Sequence, residues 1–392
     1  MEKIRLGDIA KISSGGTPSR NKRENWENGD IPWIKIKDLK SKYINSSEEN
    51  ITKYALKNST TKLYKKGTIL YTIFATIGEV AILNIDATTN QAIAGIEINE
   101  KVINRNYLFY YLNSIKTKMV KKSRGVAQNN INLKILKNLE IKLVELSEQK
   151  KISNKLDKVQ EIIDLRKKQI KELDGLIKSQ FVEMFGDLGN TKYEVKTLEE
   201  LVDKSDKNSL KRGPFGGSLK KDDFVDDGYL VYEQRHAIHN DFEYEKYYID
   251  EEKYKSMEMF KVMPGDLIVS CSGVTLGRIA EIPENAKEGI INQALLKISL
   301  NNRIIVNEFF IQQFRSEEIQ NYLFSFSRGS GIPNFPSMNE VKKIKLICPN
   351  LEEQIRYERI VKQIDKRKIE IEESLRETEE LQESLMNKYF GE

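Results

Sequence analysis

The sequence predicts a mixed α/β protein built twice over: two similar α/β blocks separated by two long antiparallel helices that form a coiled coil, with pseudo-twofold symmetry. Three observations carry that prediction. Landmarks recur at a slowly drifting offset along the 392 residues, two charged stretches share an opening and a closing, and each stretch has apolar residues at helical spacing without a proline. The resulting division is 1–146, 147–190, 191–349 and 350–392, that is block, helix, block, helix.

In the first block, Ile31 to Lys37 alternates apolar and polar residues and predicts a strand, as does the apolar run Gly67 to Ile73. Tyr107 to Leu112 predicts a helix. The second block repeats these landmarks: Gly29-Asp30-Ile31-Pro32-Trp33 answers Gly228-Tyr229-Leu230-Val231-Tyr232, Gly67 answers Gly265, and Phe309 to Phe314 is the second helix. Asn90-Gln91-Ala92 returns as Asn292-Gln293-Ala294, and Leu133, Leu136, Leu139 and Ile141 return as Met338, Val341, Ile344 and Leu346. The offset drifts from 192 (Leu6 to Leu198) to 202 at the Asn-Gln-Ala pair, so frameworks match while loops differ in length.

The charged stretches open on Leu146-Ser147-Glu148-Gln149-Lys150 and Leu351-Glu352-Glu353-Gln354-Ile355, and close on Phe185-Gly186 and Phe390-Gly391. Ile152, Leu156, Val159, Ile163, Ile170, Leu173 and Ile177 follow steps of four and three, with Arg166 at one polar slot: a coiled-coil seam. Val361, Ile364, Ile371, Leu375 and Leu385 keep the register in the second stretch, with Lys368, Thr378 and Gln382 at seam positions. Asn350 with Glu353 predicts a capped start, and Ser147 can cap the first helix. A helix of about 36 residues is about 54 Å long. Two such helices related by a pseudo-twofold would run antiparallel and hold the blocks at opposite ends. Apolar residues outside the seam (Ile162, Leu165, Leu176, Ile360, Leu381) widen the stripe and leave room for a helical partner.

Charge separates the blocks. Residues 1–146 carry 25 Lys and Arg against 14 Asp and Glu, a net of +11, whereas residues 191–349 carry 22 against 25, a net of −3. The first has the balance of a domain that meets phosphates; the second needs a local patch such as Lys211, Arg212, Lys220 and Lys221. No apolar run approaches a membrane span and Met1 to Arg5 is no signal peptide, so the expectation is a soluble cytoplasmic protein. Two cysteines, Cys271 and Cys348, support neither a disulfide framework nor a zinc cluster and are read as core filling. The histidines, His236 and His239, follow a segment read as strand and loop and do not predict a metal site.

Four loops are candidate binding elements. Ser13 to Ser19 and Arg212 to Ser218 are rich in glycine, so their amides can approach phosphates, but neither ends in the Gly-Lys-Ser/Thr of a nucleotide-binding loop. Arg20, Lys22 and Arg23 are the candidates for phosphate contact beside the first, and Thr17 and Ser19 are further candidate binding residues there. Ser123 to Asn130 and Ser327 to Asn334 share an Arg-Gly pair and carry Arg124, Gln128, Asn129, Asn130, Arg328, Ser330 and Asn334; Arg, Gln and Asn are the side chains that read purine edges. No cofactor loop, catalytic carboxylate context or adenine-methylase signature is present, so the chain reads as non-catalytic.

The alternation of variable block and long helix, the Leu-Ser-Glu-Gln-Lys helix start, Gly-Asp-Ile-Pro-Trp at 29–33 and the Phe-Gly closures resemble the specificity subunit of type I restriction-modification systems, over essentially the whole chain. The resemblance implies two target recognition domains, each reading one half of a split double-stranded DNA site, and paired helices that set the spacer and dock two methyltransferase subunits. It further implies that S-adenosylmethionine binds the methyltransferase subunits, that ATP and Mg2+ serve restriction subunits, and that this chain binds no cofactor. The acidic balance of the second block departs from that expectation. The competing reading is a duplicated coiled-coil scaffold that joins protein-binding modules without DNA specificity.

Overall fold

A computed structural model describes residues 2–123, 130–186, 192–326 and 335–391. The chain divides into two compact units: Met1–Lys168 with Glu372–Glu392, and Gln169–Ile371. Both have the same plan. In the first, a five-stranded sheet runs in the order Ala10–Ser14, Ile93–Ile98, Ile69–Thr72, Val80–Leu83, Tyr43–Ile44. Beside it stand a four-stranded sheet (Glu49–Ile51, Ile31–Ile34, Ala87–Thr89, Leu63–Tyr64) and a ribbon of Glu2–Arg5 with Glu140–Leu143. In the second, the sheets are Leu210–Arg212, Leu295–Ile298, Leu267–Ser270, Ile279–Glu281 and Tyr248–Ile249, Tyr229–Tyr232, Gly289–Ile291, Lys261–Val262, with the ribbon Val195–Thr197 and Lys345–Ile347.

The central strands are continuous apolar runs because both of their faces are covered. Ile69 and Tyr71 enter one core and Leu70, between them, another; Leu267 and Val269 divide from Ile268 in the same way. This is the two-residue period of a strand serving two cores at once. The predicted helices are found as Arg105–Ser114 and Asn307–Phe314. The strand expected through Lys37 ends at Ile34, because Asp38 accepts the Lys35 amide at 2.8 Å and turns the chain. The segment read as strand and loop before His236 is a strand to Tyr232 followed by the helix Gln234–His239, which begins where the Glu233 amide donates to His236 Nδ1 at 2.9 Å.

The long helices span Leu146–Phe185 and Leu351–Phe390, 40 residues each, and Gln149 and Gln354 fix their starts. Gln149 is 1% exposed; its Oε1 accepts the Asn104 amide (2.8 Å) and its Nε2 donates to the carbonyls of Val102 (3.2 Å) and Val144 (2.9 Å). Gln354, 0% exposed, does the same with the Val306 amide (2.9 Å) and the carbonyls of Ile304 (3.1 Å) and Pro349 (2.8 Å). Within each unit the two helices run antiparallel. In the first, Gln382 donates to Gln160 at 2.8 Å and Arg166 to the Ser374 carbonyl at 2.5 Å; in the second, Lys368 meets Asp174 at 2.7 Å and the Tyr357 hydroxyl meets the Ile177 carbonyl at 3.4 Å. Arg166 and Lys368 therefore fix register.

The seam is partly a core. Ile152 and Leu156 are buried in the first unit's core, and Val361 in the second's. Val159, Ile163 and Ile364 are buried, while Ile170, Leu173, Ile177, Ile371, Leu375 and Leu385 are half-buried. The Phe-Gly closures dock the helix ends: Phe390 lies 5.1 Å from the Tyr107 ring in the first unit, and Phe185 lies 4.8 Å from the Phe309 ring in the second.

Candidate nucleic-acid interface

One edge of each unit is a ridge of loops assembled around the repeated Asn-Gln-Ala turn. In the first unit Asn90 Oδ1 accepts the Ala92 amide (3.2 Å) and its carbonyl accepts the Ile93 amide (3.3 Å); Asn292 accepts the amides of Ala294 (3.0 Å) and Leu295 (3.1 Å) in the same way. Such an Asx turn closes on itself. Three neighbours then clamp it. The Asn90 amide donates to the Ile34 carbonyl (3.1 Å), the Ile73 amide to the Ala92 carbonyl (2.8 Å) and the Gly15 amide to the Ile93 carbonyl (3.0 Å). The counterparts are Asn292 to Tyr232 (3.0 Å), Cys271 to Ala294 (2.8 Å) and Gly213 to Leu295 (2.8 Å).

The clamp explains the glycines. A Cβ on Gly15 would lie 2.0 Å from Thr89 Oγ1, and one on Gly213 would lie 1.8 Å from the Asn292 carbonyl oxygen. The amides of Gly15, Gly16 and Gly213 are spent on neighbouring carbonyls. The expectation that these amides approach phosphates is thus corrected: close approach is needed, but to the chain's own turn.

A hairpin tip borders each turn. Thr72 Oγ1 donates to the Thr76 carbonyl and accepts the Glu79 amide (2.8 Å); Ser270 Oγ donates to the Thr275 carbonyl and accepts the Arg278 amide (3.1 Å). Ala75 (φ 59°) and Gly273 (φ 72°) take left-handed conformations that project Phe74, 39% exposed, and Val274, 86% exposed. Phe74 also bridges Asn130, half-buried, where the chain re-enters the described residues. Burial pushes the Cys271 thiol at the second hairpin up to about 12, which keeps it an unreactive core group, and pushes that of half-buried Cys348 up as well.

Arg124, Gln128, Asn129, Arg328, Ser330 and Asn334 lie outside the described residues. Of the other expected contacts, Thr17 is exposed and donates to Gln91 Oε1, and the Ser19 carbonyl accepts Asn25 Nδ2 (2.9 Å) and Trp26 Nε1 (3.0 Å). Arg20 stacks 3.8 Å from the Trp26 ring centre and pairs with Glu49 at 2.5 Å, so it is held against its own domain. Lys22 is exposed; Arg23 meets Glu27 at 3.7 Å.

The four-residue basic patch of the second block is not one patch. Successive strand residues face opposite ways, and Lys211 lies 5.5 Å from the Phe260 ring while Arg212 lies 5.1 Å from Phe215 and 5.7 Å from Phe335. Lys220 and Lys221 are exposed on a turn closed by Asp223, whose carboxylate accepts the Lys220 amide at 2.5 Å. Arg212 belongs to the ridge, and its buried Nε has no hydrogen-bond partner among the described residues. The signal missed in the sequence was Gln91 and Gln293: both are exposed at the apex of the clamped turn, and the repeat of Asn-Gln-Ala was the trace of them.

Among the described residues no cluster of metal-ligating side chains occurs, and no helix is long and apolar enough to cross a membrane. His236 is buried with its Nε2 2.8 Å from the Tyr244 carbonyl.

Two α/β units of one plan, each with a clamped loop ridge and each holding part of both long helices, define an internally duplicated α/β protein. Its sequence places it in a family: the chain belongs to the type I restriction modification DNA specificity domain family, whose model matches residues 1–174 and again 190–383. It is 35% identical over 208 residues to the type I restriction enzyme MjaIX specificity subunit of Methanocaldococcus jannaschii, covering 51% of this chain and 47% of that protein. To the EcoR124I/EcoR124II specificity subunit of Escherichia coli it is 34% identical over 159 residues, 39% of each chain. The chain thus spans about half the length, or less, of these two relatives. The type I restriction-modification S subunit of M. genitalium shares the fold, with a TM-score of 0.58 at 15% identity over 100% of this chain and 96% of that one.

Proposed function

We propose that this chain is the non-catalytic specificity subunit of a type I restriction-modification complex in the cytoplasm. Each block, 1–146 and 191–349, reads one half of a split, asymmetric duplex DNA site, and the helical segments 147–190 and 350–392 dock two methyltransferase subunits. The observation that carries the reading is the duplicated ridge: one clamp, bond for bond the same, carries loops that differ in composition, as two readers of different sequences require. S-adenosylmethionine then belongs to the methyltransferase subunits, and ATP and Mg2+ to restriction subunits that join the assembly. This chain supplies recognition and geometry.

The helices support the partner assignment by what they leave uncovered. Ile162, Leu165 and Leu381 in the first unit, and Leu176 and Ile369 in the second, are between 42% and 56% exposed. In the second unit Leu173, Leu176, Ile360, Ile364 and Ile371 line an apolar groove between the helices. Such a groove suits a helical partner. Phosphate contact falls mainly to the basic first block, with the second held on DNA by Arg212 and by the assembled methyltransferase.

Exchanging residues 191–349 for the same region of a related specificity subunit, followed by methylation-sensitive long-read sequencing of the host genome, tests the reading. One half of the methylated motif should change while the other half and the spacer stay. A motif that persists unchanged, or an assembly with methyltransferase that shows no salt-dependent DNA binding, overturns it in favour of a protein-binding scaffold.

A further inference from the structure

Gln91 and Gln293 form the one exposed pair that the clamp repeats. Their neighbours Asn90 and Asn292 are bonded into the turn, and Ala92 and Ala294 accept from Ile73 and Cys271. Only the glutamine side chains face outward. A glutamine kept for structure bonds inward, as Gln149 and Gln354 do, with both amide groups on buried backbone. Gln91 and Gln293 instead sit between the glycine loop and the projecting hairpin tip, on a backbone fixed by the same bonds in both units. Two identical side chains on two identical mounts make the same contact.

We propose that Gln91 and Gln293 are base-reading residues that each recognise an adenine in the major groove, one in each half of the site. This rests on the DNA-reading function proposed above and adds a letter common to both halves. The chemistry favours a base over a phosphate. An amide offers one acceptor and one donor side by side, matching the N6 amino group and N7 of adenine, whereas phosphate oxygens only accept and would match the amide's donor alone. In the first unit Thr17 donates to Gln91 Oε1 and so orients the amide. A carbonyl oxygen has two lone pairs, so the second stays available to adenine N6, and Nε2 to N7. In the second unit the place of Thr17, two residues after the clamped glycine, is taken by Phe215, 64% exposed. The surroundings of the two glutamines thus differ where the remaining letters are to differ.

The test uses the full chain assembled with its methyltransferase subunits on duplexes bearing the methylated motif, in which each adenine in turn is replaced by 7-deazaadenine, which lacks N7. For the wild type, one position in each half should weaken binding on the order of 10-fold. Gln91→Ala should weaken binding to unmodified DNA by a similar factor and make one half indifferent to 7-deazaadenine; Gln293→Ala should do so for the other half. Gln91→Glu, which keeps the shape and loses the donor, should behave like the alanine variant. Variants that bind as the wild type does, or that remain fully sensitive to 7-deazaadenine at every position, overturn the assignment alone. So does a uniform loss in both halves with a shallower salt dependence, the mark of a phosphate contact. Absence of sequence-specific binding by the wild-type assembly removes the functional reading, and this assignment with it.

Discussion

Glu308 is a carboxyl held well outside the ordinary carboxylate range. It lies in the second unit near Glu281, Glu358 and Asp365, with Arg315 the opposing cation, and burial pushes its carboxyl up to about 7. Burial raises Glu281 and Asp365 as well, and lowers Arg315. A carboxyl whose folded pKa lies above its unfolded value binds its proton more tightly when folded, so its contribution favours folding at low pH and fades as pH rises through 7. Thermal unfolding of the second unit should therefore occur at lower temperature at pH 8 than at pH 6. Glu308→Gln should flatten that dependence and raise the pH 8 midpoint by about 2–4 °C; an unchanged slope in the variant would rule out Glu308 as its origin. Nothing in the sequence marked this residue, since an acidic residue in an amphipathic helix reads as a solvated one. The repeated Asn-Gln-Ala was legible, and its Asn side chain bonds locally to the amide two residues on, but the clamp that fixes the turn comes from the backbone of segments distant in sequence.

At the scale of elements, what was legible followed periodicity and length. The 40-residue helices carry many turns of consistent spacing and were placed within a few residues. Strands of two to four residues, such as Tyr43–Ile44 and Lys261–Val262, are shorter than any pattern window and exist because tertiary pairing completes them. The repeated glutamine at each helix start marked the repeat without announcing its work, which is to bond three backbone groups from the preceding block. Gln149→Leu would leave the Asn104 amide and the Val102 and Val144 carbonyls unpaired, and a buried unsatisfied group costs about 1–3 kcal/mol. The expected result is a lowered melting temperature with loss of amide-exchange protection confined to the first unit, residues 1–168 and 372–392. Gln354→Leu should do the same within 169–371. Equal loss of protection in both units from either substitution would contradict the assignment of each glutamine to one unit.

At the scale of the whole molecule, the least legible fact is the composition of the units, because it depends on where a helix ends in space. Sequence order joins residues 372–392 to the second helix, yet the first unit is built from Met1–Lys168 and Glu372–Glu392. Leu385, Met386, Tyr389 and Phe390 pack on its core, Phe390 contacts both Tyr107 and Tyr111, and the Lys142 ammonium reaches the Gly391 carbonyl at 3.4 Å. Full burial of a large apolar side chain is worth about 1.5–3 kcal/mol, so four half-buried ones contribute on the order of several kcal/mol. That is comparable with the roughly 5–15 kcal/mol that holds a domain folded. Deleting residues 372–392 should therefore unfold the first unit, whose other segment, Met1–Lys168, is separated from the cut by the whole of residues 169–371, and leave the second standing. Hydrogen exchange would read this as lost protection in Arg105–Ser114 with protection kept in Asn307–Phe314. Phe390→Ala, which leaves the helix intact, should weaken the first unit by about 1–2 kcal/mol through the lost aromatic contacts. A truncated chain whose first unit stays protected would mean that residues 1–168 fold alone, and that the helix end docks on a finished domain instead of completing one.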